Sequence, residues 1–532
     1  MTNEYTSRVP FYRFPETREE QEAALATNPL MQRLLAYRQR YVDDPHRPIY
    51  HYVNPENTLN DPNGLCFWQG RWHLFYQAYP PEDPRQHWGH AVSDDLIHWR
   101  DLPYAIYPNP EECCFSGTAL VEEERVIAIY HGTKVGNMVA VAHDPLLLNW
   151  EKVTGNAVIP FAGPNDPPLP YTVFDPCIWK KDGVYYALSG GTLPHGPAGK
   201  QIRANFLFRS ADLATWEYLH EFAEDDQYTL VGDDGACPYF WPIGHKHILL
   251  FFSHMSGGQY LLGDYDTKRD KFVVTDGGLF NFGPSTPAGV HAPSAAPNAD
   301  GSVTVIFNMN ASKPTAGWNQ IMSLPRRLSL TDNDELRMEP AGDLASLRYN
   351  HQKIAGMTLP ANQEVVLETI QGNAMEVELV LDPQNAPMVE VNVLRSPQKE
   401  EFTRIAFFKQ RGFRYRFRVP NATALNANSD QLKNRPIRHE SLITLDTAYA
   451  STLPDVLSRA PETAPIYLEA DELLNLRIFI DRSVVEVFVN GKQCVAARVY
   501  PGRTDSVGVS LRAQGAEAML RSLDCWQMAS IY

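Results

Sequence analysis

No stretch of this chain approaches the twenty or so consecutive apolar residues that a membrane-crossing helix needs, so no membrane partner is expected. Positive charge is in deficit. Lys and Arg number 47 against 63 Asp and Glu, a net charge of −16. A phosphate backbone is bound by clustered cations, which excludes a nucleic-acid partner. The acidity suits a neutral or cationic ligand, or simply a solvated surface. Cysteine is scarce, with 7 in 532 residues: Cys66, Cys113, Cys114, Cys177, Cys237, Cys494 and Cys525. An odd count without a CxxC pair argues against a disulfide framework or a zinc site and reads as the reduced core thiols of a cytoplasmic protein. The opening MTNEYTSRVPFYRF lacks a basic start followed by an apolar stretch, so no secretory leader is read there. No metal-ligand spacing appears, and neither metal nor cofactor is expected.

Helical periodicity is scarce too, being confined to residues 1–49. Thr17 and Glu20 form a capping box, Leu30, Met31, Leu34 and Leu35 recur at helical spacing, and Asn28-Pro29 divides the run. From Pro48 onward short strands rich in Val, Ile, Tyr, Phe and Trp alternate with Gly, Pro, Asn and Asp turns. Hairpins recur at Phe67–Gln77, Ile178–Ala187, Pro242–Phe251 and, more weakly, Ala299–Phe307. A second repeated unit is Ser93-Asp-Asp-Leu-Ile-His-Trp99, His143-Asp-Pro-Leu-Leu-Leu-Asn-Trp150 and Ser210-Ala-Asp-Leu-Ala-Thr-Trp216. A four-stranded unit returning roughly every 50–65 residues is what propeller blades require. Five blades are read over 50–110, 111–170, 171–230, 231–280 and 281–345. A tandem of sandwiches is the competing arrangement, disfavoured by the shared order of hairpin then Asp-Leu-Trp. The fold class is therefore all-β, with a helical extension (1–49), a five-bladed β-propeller (50–350) and a C-terminal antiparallel β-sandwich (351–532). The helical extension would cap the propeller or mediate oligomerisation. In the sandwich, Val484–Val489 enters an Asn490-Gly491 hairpin turn, and the polar stretch 420–465 reads as an excursion between strands.

A propeller's innermost strands begin at one mouth of its channel, so carboxylates remote in sequence converge there. Asp61, in Leu59-Asn60-Asp61-Pro62-Asn63-Gly64, sits just before the first hairpin, and Asp175, in Val173-Phe174-Asp175-Pro176, repeats that placement. Asn-Asp-Pro-Asn-Gly is also ordinary Asx-turn chemistry. A third acid is expected in the fourth blade, where the chain reads Gly232-Asp233-Asp234-Gly235-Ala236-Cys237-Pro238.

With these residues the chain resembles glycoside hydrolase family 32, the invertases, inulinases and levanases. The likeness runs through His51–Gly64, Phe75-Tyr76-Gln77, Trp88–Trp99, Cys114-Phe-Ser-Gly-Thr118, Ile480-Asp481-Arg-Ser483 and Val485-Glu486-Val-Phe488, in order, over about residues 50–530. It implies a retaining attack on β-fructofuranosides. Asp61 would be the nucleophile, Asp175 the transition-state stabiliser, and Asn60, Gln77, Trp88, Ser116, Phe174, Cys237 and His291 would line the sugar pocket. A nucleophile and its acid stand about 5–5.5 Å apart in such enzymes.

The family pattern fails at two places. Phe174 stands where it has Arg, and Ala236 where it has the general-acid Glu. Losing a general acid removes about 10²–10⁴-fold in rate. An engineered substitution, a relocated acid (Asp233 or Asp234, with His254 and His291 nearby) and a sugar-binding protein without turnover each account for Ala236. A fructosyltransferase shares the covalent intermediate, and arabinofuranosidases share the propeller. The partner expected is a small-molecule or oligosaccharide fructoside.

Overall fold

The computed structural model describes residues 7–532 apart from 164, 194–198, 413–439 and 470. It is an all-β chain with two consecutive helices near its start, α1 (Arg18–Thr27) and α2 (Pro29–Arg40). Asn28 divides them as its sequence suggests, its side chain accepting from the Leu30 and Met31 N–H groups ahead of Pro29. Thr17 behaves differently from a capping box. Its hydroxyl donates to the Glu20 carboxylate at 2.7 Å and caps no backbone N–H. The helices lay Leu25, Leu30 and Leu34 on the strands beside them, and Gln21 bonds Asp144 at 2.7 Å.

The chain divides into two compact units, one running to Leu347 and taking in Ala529–Tyr532, the other spanning Arg348–Met528. The closing residues return to the first unit because Tyr532 is anchored there. Its hydroxyl accepts from Val53 N–H at 2.8 Å and donates to the His51 carbonyl at 2.9 Å, beneath the Arg38 guanidinium.

Among the described residues the first unit contains five sheets in chain order whose hairpins are antiparallel, their innermost strands being Leu59–Trp68, Cys114–Val121, Pro176–Lys181, Ala236–Ile243 and Val290–Pro297; in the fourth sheet the short Ala223–Glu224 adds a parallel edge to Lys271–Leu279. Each of these first strands neighbours the next, and the last neighbours the first. The Asp-Leu-Trp segments turn the chain between third and fourth strands. Asp95 accepts from the Ile97 and His98 N–H groups and Asp212 from those of Ala214 and Thr215, while Asp144 caps Leu148 and Asn149. The leucine of each segment is left-handed (Leu96 φ 72°, Leu147 φ 51°, Leu213 φ 68°), and the Trp150 and Trp216 indoles close back on the carbonyls of Leu147 and Leu213.

The second unit holds two six-stranded antiparallel sheets. Asn490 and Gly491 (φ 52° and 60°) turn Val484–Val489 into Gln493–Arg498, closed by Lys492 N–H on the Val489 carbonyl. The excursion expected over 420–465 is smaller than read. Glu440–Asp446 pairs with Thr403–Phe408 on one side and with the edge strand Glu462–Tyr467 on the other, their apolar residues alternating inward, while 413–439 lies outside the described residues.

Candidate active site

A recurring irregularity aims side chains from the first strands. The ladder shifts register between Leu59 and Pro62, Cys114 and Gly117, Ala236 and Tyr239, and Val290 and Pro293. A bulge bends a strand and re-aims the extra residue. The residues so placed are Asn60 and Asp61, Ser116, Cys237 and His291, from four sheets. Asp175 comes from the remaining one, just before its first strand, where its carbonyl accepts from Gly190 N–H at 2.8 Å. Gly64 turns the end of the Asp61 segment at φ +51°, where a side chain would press on Trp88, Phe75 and Ala119.

Asp61 is only 8% exposed. Its Oδ2 accepts from Ser116 Oγ at 2.7 Å and from Gln77 Nε2 at 3.2 Å, with Cys237 Sγ at 3.6 Å. Its Oδ1 accepts no hydrogen bond among the described residues and lies 3.6 Å from His291 Nε2. Gln77 also donates to Ser116 Oγ at 2.9 Å, and its Oε1 accepts from Asn60 at 3.2 Å. Asn308, which the sequence reading missed, completes the network by donating to Asn60 Oδ1 at 3.2 Å. Its signal was a buried amide inside the otherwise apolar strand Val303–Met309.

Asp175, 3% exposed, meets the same cysteine. Its Oδ2 accepts from Cys237 N–H at 3.0 Å and from Sγ at 3.5 Å, while Oδ1 accepts none among the described residues. Cys237 is left-handed (φ +50°), which turns both N–H and thiol towards the carboxylates. Two carboxylates remote in sequence thus touch one sulfur. Burial pushes Asp175 up to about 7, with the Asp61 charge adding to it. Burial also holds the Cys237 thiol well above its ordinary value.

His291 takes the Asn310 amide N–H on Nδ1 at 3.2 Å, so its own ring proton sits on Nε2, towards Asp61. Burial keeps this imidazole below its ordinary value.

Other expected site residues fall elsewhere. Trp88 is fully buried, its ring between Phe75 and Tyr130. A large flat ring wedged between sheets excludes water, and its effect on the site is indirect, through Nε1–H on the carbonyl of Phe115, next to Ser116. Asp233 is fully buried and held in its own turn by Leu230 N–H (2.7 Å), Gln259 (3.1 Å) and Ser256, so its carboxylate is committed there. Asp234 instead reaches His254, accepting from its N–H at 3.2 Å and from Nδ1 at 2.5 Å. Ala236 and Phe174 come together. Phe174 packs against a small apolar cluster of Ala236, Cys237, Phe252 and Ala292. Among the described residues no group of three His, Cys, Asp or Glu side chains is placed to hold a metal ion.

Comparison with known proteins gives a consistent result. The profile "Glycosyl hydrolases family 32 N-terminal domain" matches residues 51–340, and "Glycosyl hydrolases family 32 C terminal" matches residues 343–527. The chain is 27% identical to a levanase of Bacillus subtilis (strain 168), covering 92% of this chain and 72% of the levanase. It is 29% identical to a sucrose-6-phosphate hydrolase of Escherichia coli, covering 90% and 94%. Its fold resembles the crystal structure of fructan 1-exohydrolase IIa from Cichorium intybus at TM-score 0.75 and 21% identity, over 92% of this chain and 98% of that one.

Proposed function

The chain belongs to glycoside hydrolase family 32, and from that premise we propose that it hydrolyses β-fructofuranosidic bonds with retention, through a fructosyl ester on Asp61. The observation that carries this reading is the meeting of Asp61 and Asp175 at Cys237, each with one carboxylate oxygen left without a protein hydrogen bond. The five sheets, whose first strands neighbour one another in a cycle, are read as the blades of a propeller with these carboxylates at its axis.

Asp61 Oδ1 attacks the anomeric carbon while the bond to the leaving oxygen breaks. Ser116 and Gln77 hold Oδ2, so the nucleophile keeps one orientation through the step, which is the entropic part of the catalysis. Positive charge grows on the furanose ring, and Asp175, when ionised, opposes it in a buried setting where water screens little. Water then attacks the same carbon and frees Asp61. A sugar hydroxyl arriving in place of water would make the chain a fructosyltransferase by the same intermediate.

Ala236 favours a second reading, a fructoside-binding protein without turnover, since a methyl group donates no proton. Phe174 packs against the apolar cluster that holds Ala236, so the two departures from the family pattern lie in one region. Where the family pattern has an arginine and a glutamate, a phenyl ring and a methyl group here belong to one apolar corner.

4-Nitrophenyl β-fructofuranoside, whose leaving group departs without a proton, tests the proposal directly. The expected result is turnover, with a fructosyl adduct on the peptide carrying Asp61 in a rapidly quenched digest. Tight binding of sucrose or an inulin fragment by calorimetry, with no turnover and no adduct, would select the binding protein.

A further inference from the structure

A retaining glycosidase must protonate the departing oxygen of an ordinary sugar, whose alkoxide is too basic to leave unaided. The buried groups around Asp61 do not offer that proton. Asp233 is bound within its own turn. His291 sits below its ordinary value, with Nδ1 occupied by Asn310. The Cys237 thiol is too weak an acid. Asp175 is required as an anion.

We infer that His254, oriented by Asp234, is the proton donor and acceptor of this site, in the place left by Ala236; the inference rests on the proposed fructosidase reading. Ala236 opens the strand Ala236–Ile243 and faces Phe252 across the ladder. Asp234 lies two residues before Ala236 and His254 two residues after Phe252, so the pair stands where these strand ends meet. Asp234 grips His254 twice, by backbone N–H at 3.2 Å and by Nδ1 at 2.5 Å. A carboxylate only accepts, so the Nδ1 proton is fixed and the second proton of the imidazolium lies on Nε2. The ring is held on its other side by Phe252, centroid to centroid 5.2 Å, and by His291 at 6.2 Å. The His254 side chain is 60% exposed, which lets it exchange protons with solvent between turnovers.

The charges facing His254 are those of Asp234, Asp61 and Asp175. The hydrogen bond to Asp234 raises the imidazole above its ordinary value, and all three carboxylates favour the cation. The site thus places a cation-favouring imidazole beside Asp61 and Asp175. In the first half-reaction the C–O bond to Asp61 Oδ1 forms and the glycosidic C–O bond breaks, its electrons passing to the leaving oxygen, which takes the Nε2 proton. In the second half-reaction neutral His254 accepts a proton from the attacking water. That oxygen bonds to the anomeric carbon, the ester bond breaks, and Asp61 and the imidazolium are restored. Asp234 is a positioning residue in both.

His254→Gln, assayed on sucrose and on 4-nitrophenyl β-fructofuranoside, tests the inference. Sucrose turnover is expected to fall by about 10²–10⁴-fold, the usual contribution of general acid–base catalysis, with fructosyl transfer from the nitrophenyl substrate to Asp61 nearly unchanged. Asp234→Asn keeps the imidazole but removes the partner that raises it. The alkaline limb of kcat/KM for sucrose is then expected to move to lower pH. Sucrose turnover within about 3-fold of the parent in His254→Gln overturns the inference. So does an alkaline limb that Asp234→Asn leaves in place. A parent protein that cleaves only the nitrophenyl substrate overturns it too, leaving the fructosidase reading intact. Absence of turnover on both substrates removes that reading and this inference together. His254 is on an exposed turn, and circular dichroism of both variants checks that they fold.

Discussion

The two sides of the candidate site are built differently. On one side of Asp61 the neighbours are polar and bonded to the next: Ser116, Gln77, Asn60 and Asn308 form a continuous network. Around Ala236 the neighbours are Phe174, Phe252 and Ala292, apolar and close-packed. The first side keeps what a nucleophile needs, a carboxylate held in one orientation with one oxygen free. The second has lost what a buried acid needs, a partner for its charge. A buried carboxyl without its arginine is costly, and replacing such a pair by apolar groups is often neutral or stabilising. On the proposed reading, the contrast separates bond-making, served by the polar side, from proton delivery, which the apolar side cannot supply.

The sharpest break of this comparison is at the polar side. Asp61→Asn is expected to lower fructoside turnover by at least about 10⁴-fold, as removal of a nucleophile does elsewhere, and to abolish the trapped adduct. Residual turnover within about 10-fold of the parent would mean that the bond-making carboxylate is another one. At the apolar side the expected effect is on stability. Ala236→Glu inserts a carboxyl among Phe174, Phe252 and Ala292, with a loss of about 2–4 kcal/mol by denaturant unfolding. Adding Phe174→Arg is expected to return part of that loss, a coupling on the order of 1–3 kcal/mol between residues in contact. Ala236→Glu as stable as the parent would mean that this corner is wet, and the contrast between the two sides would disappear.

Much of this was legible in sequence because it depends on local chemistry. Asn490-Gly491 announces its hairpin since both residues tolerate positive φ. The repeated Asp-Leu-Trp segments mark turns because an Asp side chain caps backbone N–H groups a few residues on, two and three for Asp95 and Asp212, four and five for Asp144. Asp61 and Asp175 were identifiable by their Pro-flanked turns and equivalent placements. What was not legible depends on long-range register. The bulges that aim Ser116, Cys237 and His291 arise from how two strands align, and no residue type encodes them. Trp88 reads alike whether it walls a pocket or fills a core. Asp233 and Asp234 are identical in sequence terms; only the fold sends one into its own turn and the other to His254. The strand Glu440–Asp446 hid within a polar stretch, since its inward alternation needs a partner sheet to have meaning.

A milder probe of the polar side is Ser116→Ala, which removes the 2.7 Å donor to Asp61 and leaves Gln77 in place. One charge-assisted hydrogen bond is worth about 1.5–3 kcal/mol, so kcat/KM is expected to fall by about 10–100-fold without loss of the adduct. An unchanged rate would show that Gln77 alone orients the nucleophile.

The smallest effect, and the one that joins the two sides, concerns Asp175. Burial raises it from 3.8 to about 7, so the fold favours its protonated form. That contribution to stability is complete below about pH 4, declines as pH rises towards 7, and is absent above it. Asp175→Asn holds a neutral isostere at every pH and keeps the cavity filled. Relative to the parent, its melting temperature is expected to rise across this interval by a few °C and to level off above it. Other groups titrate in the same range, but they do so in both proteins, so the difference isolates Asp175. A difference that stays flat from pH 4 to 8 would mean that Asp175 is ionised throughout and carries no burial cost. The same titration sets activity in the opposite sense: the anion that opposes positive charge on the furanose ring is present above pH 7, where the fold is no longer helped by it. On the proposed mechanism, stability and catalysis therefore pull Asp175 in different directions: burial favours its neutral form, and the reaction uses its anion.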